Sequence, residues 1–407
     1  MVRRETEDVR SGKINMKKAI QFGAGNIGRG FLGQLFSQSG YEVVFIDVDR
    51  NLVDLLNKRG SYPLNIVGRD ECRRITVGPV SAIHADDRER ITEKTASADI
   101  MATAVGQRAL KAIAPLIAAG IGRRIQQERE EPLNIIICEN LLRASEVIRA
   151  FIMESMNGNH EEYIRSNLGL VESVVSRMVP GRPETAERED PLLLMAEEYA
   201  RLPVDKKGFV GEVPAITGLQ PCDNLFARQE EKMFTHNTGH SLCSYLGYLK
   251  GYRFIHEAIR DVRIRDVTLK ALDESGQGLV TKHGLDAGEH RSYVGNLFER
   301  FENDALGDTV ERGARDPIRK LGAADRLVGA ALLALQFGIK PEYLALGIAA
   351  ALQYANPGDE QAMKLHKLKQ EGVDKVLSEV CHLGPDDELS LLIKEKELYI
   401  RRLMTDG

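Results

Sequence analysis

The stretch Gly23-Ala24-Gly25-Asn26-Ile27-Gly28-Arg29-Gly30 constrains the fold of this chain more than any other. Before it, Lys18-Ala19-Ile20-Gln21-Phe22 is a short apolar run; after it, Phe31, Leu32, Leu35 and Phe36 recur at helical spacing. Strand, glycine turn and helix, in that order, are the context in which GxGxxG carries meaning. Gly23 allows the tight turn, Gly25 lets a pyrophosphate approach the backbone, and Gly28 lets helix pack on strand. The helix N-terminus then presents free amides and the positive end of its dipole to phosphates. Tyr41–Asp47 reads as a second strand, ending in an acid nineteen residues after Gly28. A carboxylate there accepts the ribose hydroxyls of NAD and repels the extra phosphate of NADP. The plainer alternative is a glycine turn with a stray acid. On the dinucleotide reading, the cofactor contacts run from Ala19 to Gly30 and include Asp47, Val105 and Gly106.

The following segments fit the same architecture. Leu64 to Val80 is a strand-rich excursion with Arg73 and Arg74 exposed. Asp99 to Gly106 is a buried parallel strand opening into a loop, and a helix follows over Ala109 to Ala119. Leu133 to Asn140 is another strand, with a helix from about Ala144. In doubly wound sheets ligands bind at the carboxyl ends of strands, which places Val105-Gly106 and Glu139-Asn140 beside a nicotinamide. Asn140 fits a helix cap equally well. Leu202 to Asp223, broken by three prolines and three glycines, reads as hairpins or irregular connection near a domain boundary. After Asn224 the pattern is predominantly helical. These readings give an α/β Rossmann-type domain over 16–205, a mainly α-helical domain over 206–407, and a disordered tail over 1–15 before Met16.

The helical half carries Lys232-Met-Phe-Thr-His236-Asn237-Thr-Gly-His240, with an amine, a carboxamide and two imidazoles in nine residues. At about 100° per residue, Asn237 falls roughly 140° and His240 roughly 80° from Lys232, so they share one broad helix face. A lysine that loses its charge by burial can act as a general base near neutral pH. The carboxamide can hold a polarised oxygen, and an imidazole can orient the amine. Taken alone, the segment also fits a solvated polar face. His236 and His240 have i,i+4 spacing for zinc, but no HExxH glutamate and no third ligand accompany them, so no metal is expected. Further on, Arg312, Arg315, Arg319 and Lys320 place four cations in nine residues on a stretch interrupted by Gly313 and Pro317. That run suits either a solvated surface or convergence on an anion.

Composition removes several function classes. The net charge is −5 with both signs interspersed, so no basic footprint for nucleic acid exists. Cys72, Cys138, Cys222, Cys243 and Cys381 are odd in number and scattered, which favours reduced thiols in a cytoplasm. Leu327 to Tyr354 is apolar but interrupted by Gln336, Lys340, Pro341 and Glu342; it reads as two packed helices and not a membrane span. A monomer is the expected assembly.

Taken together, Met16–Phe31, Ala102–Gly106, Cys138–Leu141, Lys232–His240, Phe301–Asn303 and Pro317–Leu321 resemble the polyol-specific long-chain dehydrogenases, the mannitol dehydrogenase family. The resemblance runs from Met16 nearly to the C-terminus. It implies a Rossmann-type domain, a helical domain, an active site between them and no metal. By that resemblance Lys232 matches the catalytic lysine, Asn140 and Asn237 the two oxyanion-side asparagines, and His240 the conserved histidine. Ser176 stands where relatives commonly carry aspartate. The implied reaction is NAD-linked interconversion of D-mannitol 1-phosphate and D-fructose 6-phosphate. Arg315 and Arg319 are the expected phosphate contacts, and Arg312 and Lys320 serve family-wide roles. Unphosphorylated mannitol or a hexuronate is the alternative substrate, and an NAD-binding sensor without turnover is the alternative of another class.

Overall fold

The computed structural model describes residues 16–68, 71–141, 143–156, 158, 160–180 and 190–405, with side chains to 400. The expected tail over 1–15 lies outside them. The chain forms two compact units that interleave in sequence. The first comprises 1–62, 76–171 and 207–218, and the second 63–75, 172–206 and 219–407. Two segments of the N-terminal half, 63–75 and 172–206, pack with the helical half.

The first unit is a doubly wound sheet. Its strands are β1 (Lys17–Phe22), β2 (Tyr41–Asp47), β5 (Val80–His84), β6 (Ile100–Thr103), β7 (Leu133–Ile137) and β8 (Leu168–Glu172), in the order β5-β2-β1-β6-β7-β8. Neighbours from β5 to β7 pair in parallel. Continuous apolar runs such as β6 and β7 are buried on both faces, as parallel strands must be. The chain winds outward on one side through β2 and β5, then returns to build the other side from β6, so the winding reverses between β1 and β6. The register makes Phe22 level with both Ile46 and Thr103, and Thr103 level with Ile137. Gly23, Asp47, Ala104 and Cys138 therefore leave the sheet at one height along its carboxyl edge. Crossover helices, among them Leu110–Gln126 and Ala144–Ser155, cover the sheet with Leu110, Ile117, Ile148 and Ile152.

The second unit holds a small sheet of β4 (Cys72–Val77), β3 (Tyr62–Val67, from Pro63 onward) and β9 (Leu194–Glu197), in the order β4-β3-β9. It also holds the pair β10 (Leu202–Asp205) and β11 (Leu219–Cys222). That pair is parallel, so of the two expectations, hairpins or irregular connection, the first is corrected: parallel strands need a crossover, and residues 206–218 supply it. The rest is helical around Thr238–Leu249, whose Leu242 and Tyr245 are fully buried among Ala271, Leu279, Ala330, Leu344 and Ile348. The apolar region Leu327 to Tyr354 forms two packed helices, Val328–Gln336 and Glu342–Ala351. Glu274 accepts hydrogen bonds from Tyr343 N and Leu344 N, satisfying open amides at the second helix's start. Among the described residues no helix is long and apolar enough to cross a membrane.

Candidate active site

In the first unit the glycine turn lies at the winding reversal. Gly23 has φ +90°, and a Cβ on it would sit 2.4 Å from Ala104 O, so only glycine lets the β1 and β6 edges meet. A Cβ on Gly28 would overlap Gly23 O, whereas one on Gly25 would meet nothing within 4 Å. The loop is thus closed at both ends and open in the middle, which suits close approach of a pyrophosphate to the backbone. Ala24 is gripped at both of its backbone groups: its N donates to Asp47 Oδ2 at 2.6 Å, and its O accepts from buried Arg29 Nε at 2.6 Å. Glu139 ties the neighbouring loop, accepting from Val105 N at 2.9 Å and Gly106 N at 2.8 Å. Burial raises the pKa of Glu139. Asn140 is exposed beyond β7. The next helix begins after Arg143 with no side-chain cap, so Asn140 is not its cap. These residues fit a dinucleotide.

In the second unit, Leu225–Glu231 runs without a break into Lys232–Asn237 and then Thr238–Leu249, but the middle piece is a π turn. The face geometry expected of a regular α-helix is therefore corrected. An i→i+5 turn takes roughly one residue more than an α turn, so residues five apart come close to the same azimuth, and Asn237 moves toward the line of Lys232. Hydroxyl groups accommodate the widened stretch: Thr238 Oγ1 donates to Met233 O and Arg326 O, and Ser275 Oγ to Phe234 O.

Lys232 lines a cleft of about 1290 Å³ together with Ser176, Tyr199, Glu231, Tyr293 and Arg300. Burial, then the charges of Arg326 and Arg300, push its pKa down to about 8, and its ammonium has no hydrogen-bonded partner among the described residues. Arg300 is anchored by two contacts to Glu197, at 2.7 and 2.6 Å, and one to Ser176 O at 2.6 Å. Glu231 is held by His290 at 3.0 Å and Arg228 at 2.7 Å. Glu197 and Glu231 are thus already paired, and no carboxylate is among the groups that set the Lys232 pKa.

Asn237 is 9% exposed, and among the described residues its carboxamide hydrogen-bonds just the Met233 thioether, at 3.4 Å, a weak acceptor that leaves the group available. His240 does not bond Lys232. Its Nε2 lies 2.8 Å from Asp308 Oδ2, and Asp308 Oδ1 is held by Arg312 Nε at 2.8 Å. His236 turns its edge to Phe301 and is kept neutral by burial, with its pKa well below the ordinary value.

The cation run splits as its Gly313 and Pro317 suggested, into Val310–Ala314 and Pro317–Lys320. Its four cations do not converge. Arg312 serves Asp308, and Arg319 pairs with Asp325 at 3.2 Å and Asp316 at 3.6 Å. Lys320 turns inward over the Tyr245 ring, donates to Gly313 O, and has its pKa pushed down to about 7 by burial. Only Arg315 of the four is exposed and uncommitted among the described residues. Lys320 has a lower pKa than Lys232, but its Nζ is occupied; Lys232 is the amine free to receive a proton. The sequence reading missed Asp308 and the Glu197–Arg300 and Glu231–His290 pairs. The four-residue step from Asp308 to Arg312 was the one local signal for the first.

The sequence model described as the mannitol dehydrogenase Rossmann domain matches residues 17–218, and that of the mannitol dehydrogenase C-terminal domain matches 224–403. Among solved structures, Pseudomonas fluorescens mannitol 2-dehydrogenase, in a ternary complex with NAD and D-mannitol, superposes with a TM-score of 0.74. The match covers 96% of this chain and 93% of that one at 17% identity. A substrate-free D-sorbitol dehydrogenase gives 0.76, over 96% and 94%, also at 17% identity. At such identity the likeness concerns the fold.

Proposed function

Because the chain belongs to the mannitol dehydrogenase family, we propose that it is an NAD-dependent dehydrogenase interconverting D-mannitol 1-phosphate and D-fructose 6-phosphate. The observation that carries the dehydrogenase chemistry is Lys232, an amine in a cleft wall with its pKa near 8 and no partner of its own. In the neutral form it takes the proton from the C5 hydroxyl of the polyol phosphate. NAD, when bound along the Gly23–Gly30 loop, supplies the acceptor for the hydride leaving that carbon. The Asn237 carboxamide donates to the oxygen on which charge develops, and Asn140 is assigned the same task in the Rossmann unit. His240 holds a substrate hydroxyl, since its ring is engaged with Asp308 and not with the lysine.

The phosphate rests on the resemblance of the whole chain and on the exposed cations Arg315 and Arg319. A second reading, an unphosphorylated polyol, is favoured by the cleft itself. Glu198, Asp286, Glu289 and Glu299 line it alongside the paired Glu197 and Glu231, so its six acids outnumber its four cations, Arg201, Arg228, Lys232 and Arg300, which disfavours a phosphate dianion. NADH oxidation followed side by side with fructose 6-phosphate, fructose and fructuronate decides between them. The phosphate reading requires fructose 6-phosphate to exceed both others in kcat/KM. Binding of NADH with no turnover of any of the three would leave only a sensor.

A further inference from the structure

The imidazole of His240 is joined to a carboxylate that is joined in turn to a guanidinium. Asp308 is 7% exposed and lies at the start of the turn into Val310–Ala314, sixty-eight residues beyond His240. Its Oδ2 meets His240 Nε2 at 2.8 Å, and its Oδ1 receives Arg312 Nε and Nη2, both at 2.8 Å. A carboxylate flanked by two such donors stays ionised; these contacts hold Asp308 down to about 2 despite its burial. An ionised carboxylate only accepts, so the proton of a neutral His240 must sit on Nε2. Nδ1 is then a bare acceptor, and no group among the described residues bonds it. The Asp308 contact sets which edge of the ring faces the carboxylate, and two neighbours pack against the ring. Phe301 lies 5.6 Å from it centroid to centroid, and Gly313 is packed against Cε1 so closely that a Cβ there would approach to 2.7 Å.

We propose that Asp308 is a positioning residue that fixes the tautomer of His240, so that Nδ1 accepts a hydrogen bond from a hydroxyl of the polyol or ketose substrate. This rests on the functional reading above, because the hydroxyl belongs to the substrate assigned there. Arg312 makes the device testable. In Asp308→Asn the guanidinium claims the amide oxygen, which leaves the amide NH₂ facing Nε2. The neutral ring must then carry its proton on Nδ1 and can no longer accept there.

The test is nitrogen NMR of histidine-labelled enzyme, with His240 assigned through His240→Gln. Wild type should show Nε2 protonated and Nδ1 bare. The Nδ1 resonance should move upfield when the abortive complex with NAD and fructose 6-phosphate forms. Asp308→Asn should reverse the tautomer and lower kcat/KM for fructose 6-phosphate by roughly tenfold or more, the direction seen when a histidine is held in the wrong tautomer. Its NADH affinity should stay near wild type while its melting temperature falls, because the buried charge paired with Arg312 is lost, and Asp308→Glu, which keeps an acceptor, should restore the tautomer and part of the turnover. A proton on Nδ1 in wild type, or an Nδ1 resonance indifferent to the abortive complex, overturns the proposal without any variant. So does a reversed tautomer with undiminished kcat/KM. A wild type that binds NADH but does not reduce fructose 6-phosphate would instead refute the substrate assignment, while the tautomer in the free enzyme still reads out Asp308.

Discussion

Asp47 Oδ2 receives the Ala24 amide at 2.6 Å, so the acid expected to meet the ribose is also the tether of the glycine loop. Its other oxygen accepts Asp49 N at 3.0 Å. Removing this side chain therefore acts on cofactor choice and on loop geometry together. Asp47→Ser should weaken NADH binding by roughly tenfold to a hundredfold, the scale of one or two hydrogen bonds to a charged group. It should gain little toward NADPH, because the loop loses its tether. Asp47→Asn keeps an acceptor for Ala24 N while removing the charge, and should be the better of the two at admitting NADPH. Fluorescence titration of both variants with both cofactors checks this ordering. A wild-type enzyme that binds NADPH as tightly as NADH contradicts the role given to Asp47.

Lys232 sets the pH dependence. Its pKa lies near 8, so the neutral base needed for polyol oxidation is the minor form at pH 7 and the major form above about 8. Oxidation kcat should therefore rise with pH through a midpoint near 8 and level off roughly one unit above it, while ketose reduction, which needs the protonated amine, should decline over the same range. Lys232→Ala should lower kcat at least ~10²-fold in both directions and abolish this titration, with NADH affinity almost unchanged. Near-normal turnover in the alanine variant would make the lysine structural.

What could be read in advance followed sequence distance. The glycine turn, its flanking strand and helix, and the terminal acid of β2 lie within thirty residues, and each has a local steric or polar signature. The Lys232 segment was legible for the same reason. Its π turn was not, since no residue type distinguishes an i→i+5 turn from an α-helix in advance. The parallel pairing of β10 with β11 was hidden because proline- and glycine-rich spacing looks alike whether the chain turns back locally or crosses over. Asp308 lies far along the chain from His240, and only folding brings them together. Lys320 was legible only as one of four cations suited to a solvated surface or to an anion; its burial over Tyr245 is a matter of tertiary packing.

Gly313 is predicted to be intolerant of a side chain. A Cβ there would lie 2.0 Å from Ser244 Oγ and 2.7 Å from His240 Cε1. Gly313→Ala should destabilise by about 1–3 kcal/mol, as overpacking of a tight interior does. It should also displace the His240 ring. Calorimetry should show a lowered melting temperature, and Gly313→Ala with Ser244→Ala, which removes the nearest clashing atom, should recover part of it. No change in Tm for the single variant would show that the helix Val310–Ala314 yields easily.

The last prediction concerns the substrate's phosphate. Arg315 and Arg319 were both candidates, and their surroundings now rank them. Arg319 already faces Asp325 and Asp316, and a phosphate would have to compete with those carboxylates for it. Arg315 has no such rival among the described residues. It caps the short helix Val310–Ala314 immediately before Asp316, whose left-handed φ of +60° breaks the chain direction and leaves the guanidinium exposed. A guanidinium–phosphate contact is charge-assisted and two-pronged, each such bond contributing about 1.5–3 kcal/mol. Arg315→Leu should therefore lower kcat/KM for fructose 6-phosphate by roughly tenfold to a hundredfold. Arg319→Leu should cost less, because its guanidinium is already engaged by Asp325 and Asp316 and has less to give a phosphate. Activity on unphosphorylated fructose should fall little in either variant, since that substrate never used the contact. Both substrates must be measured on each variant, with circular dichroism confirming the fold. Equal losses on the two substrates would return both arginines to the solvated surface, and a larger loss in Arg319→Leu would reverse the ranking.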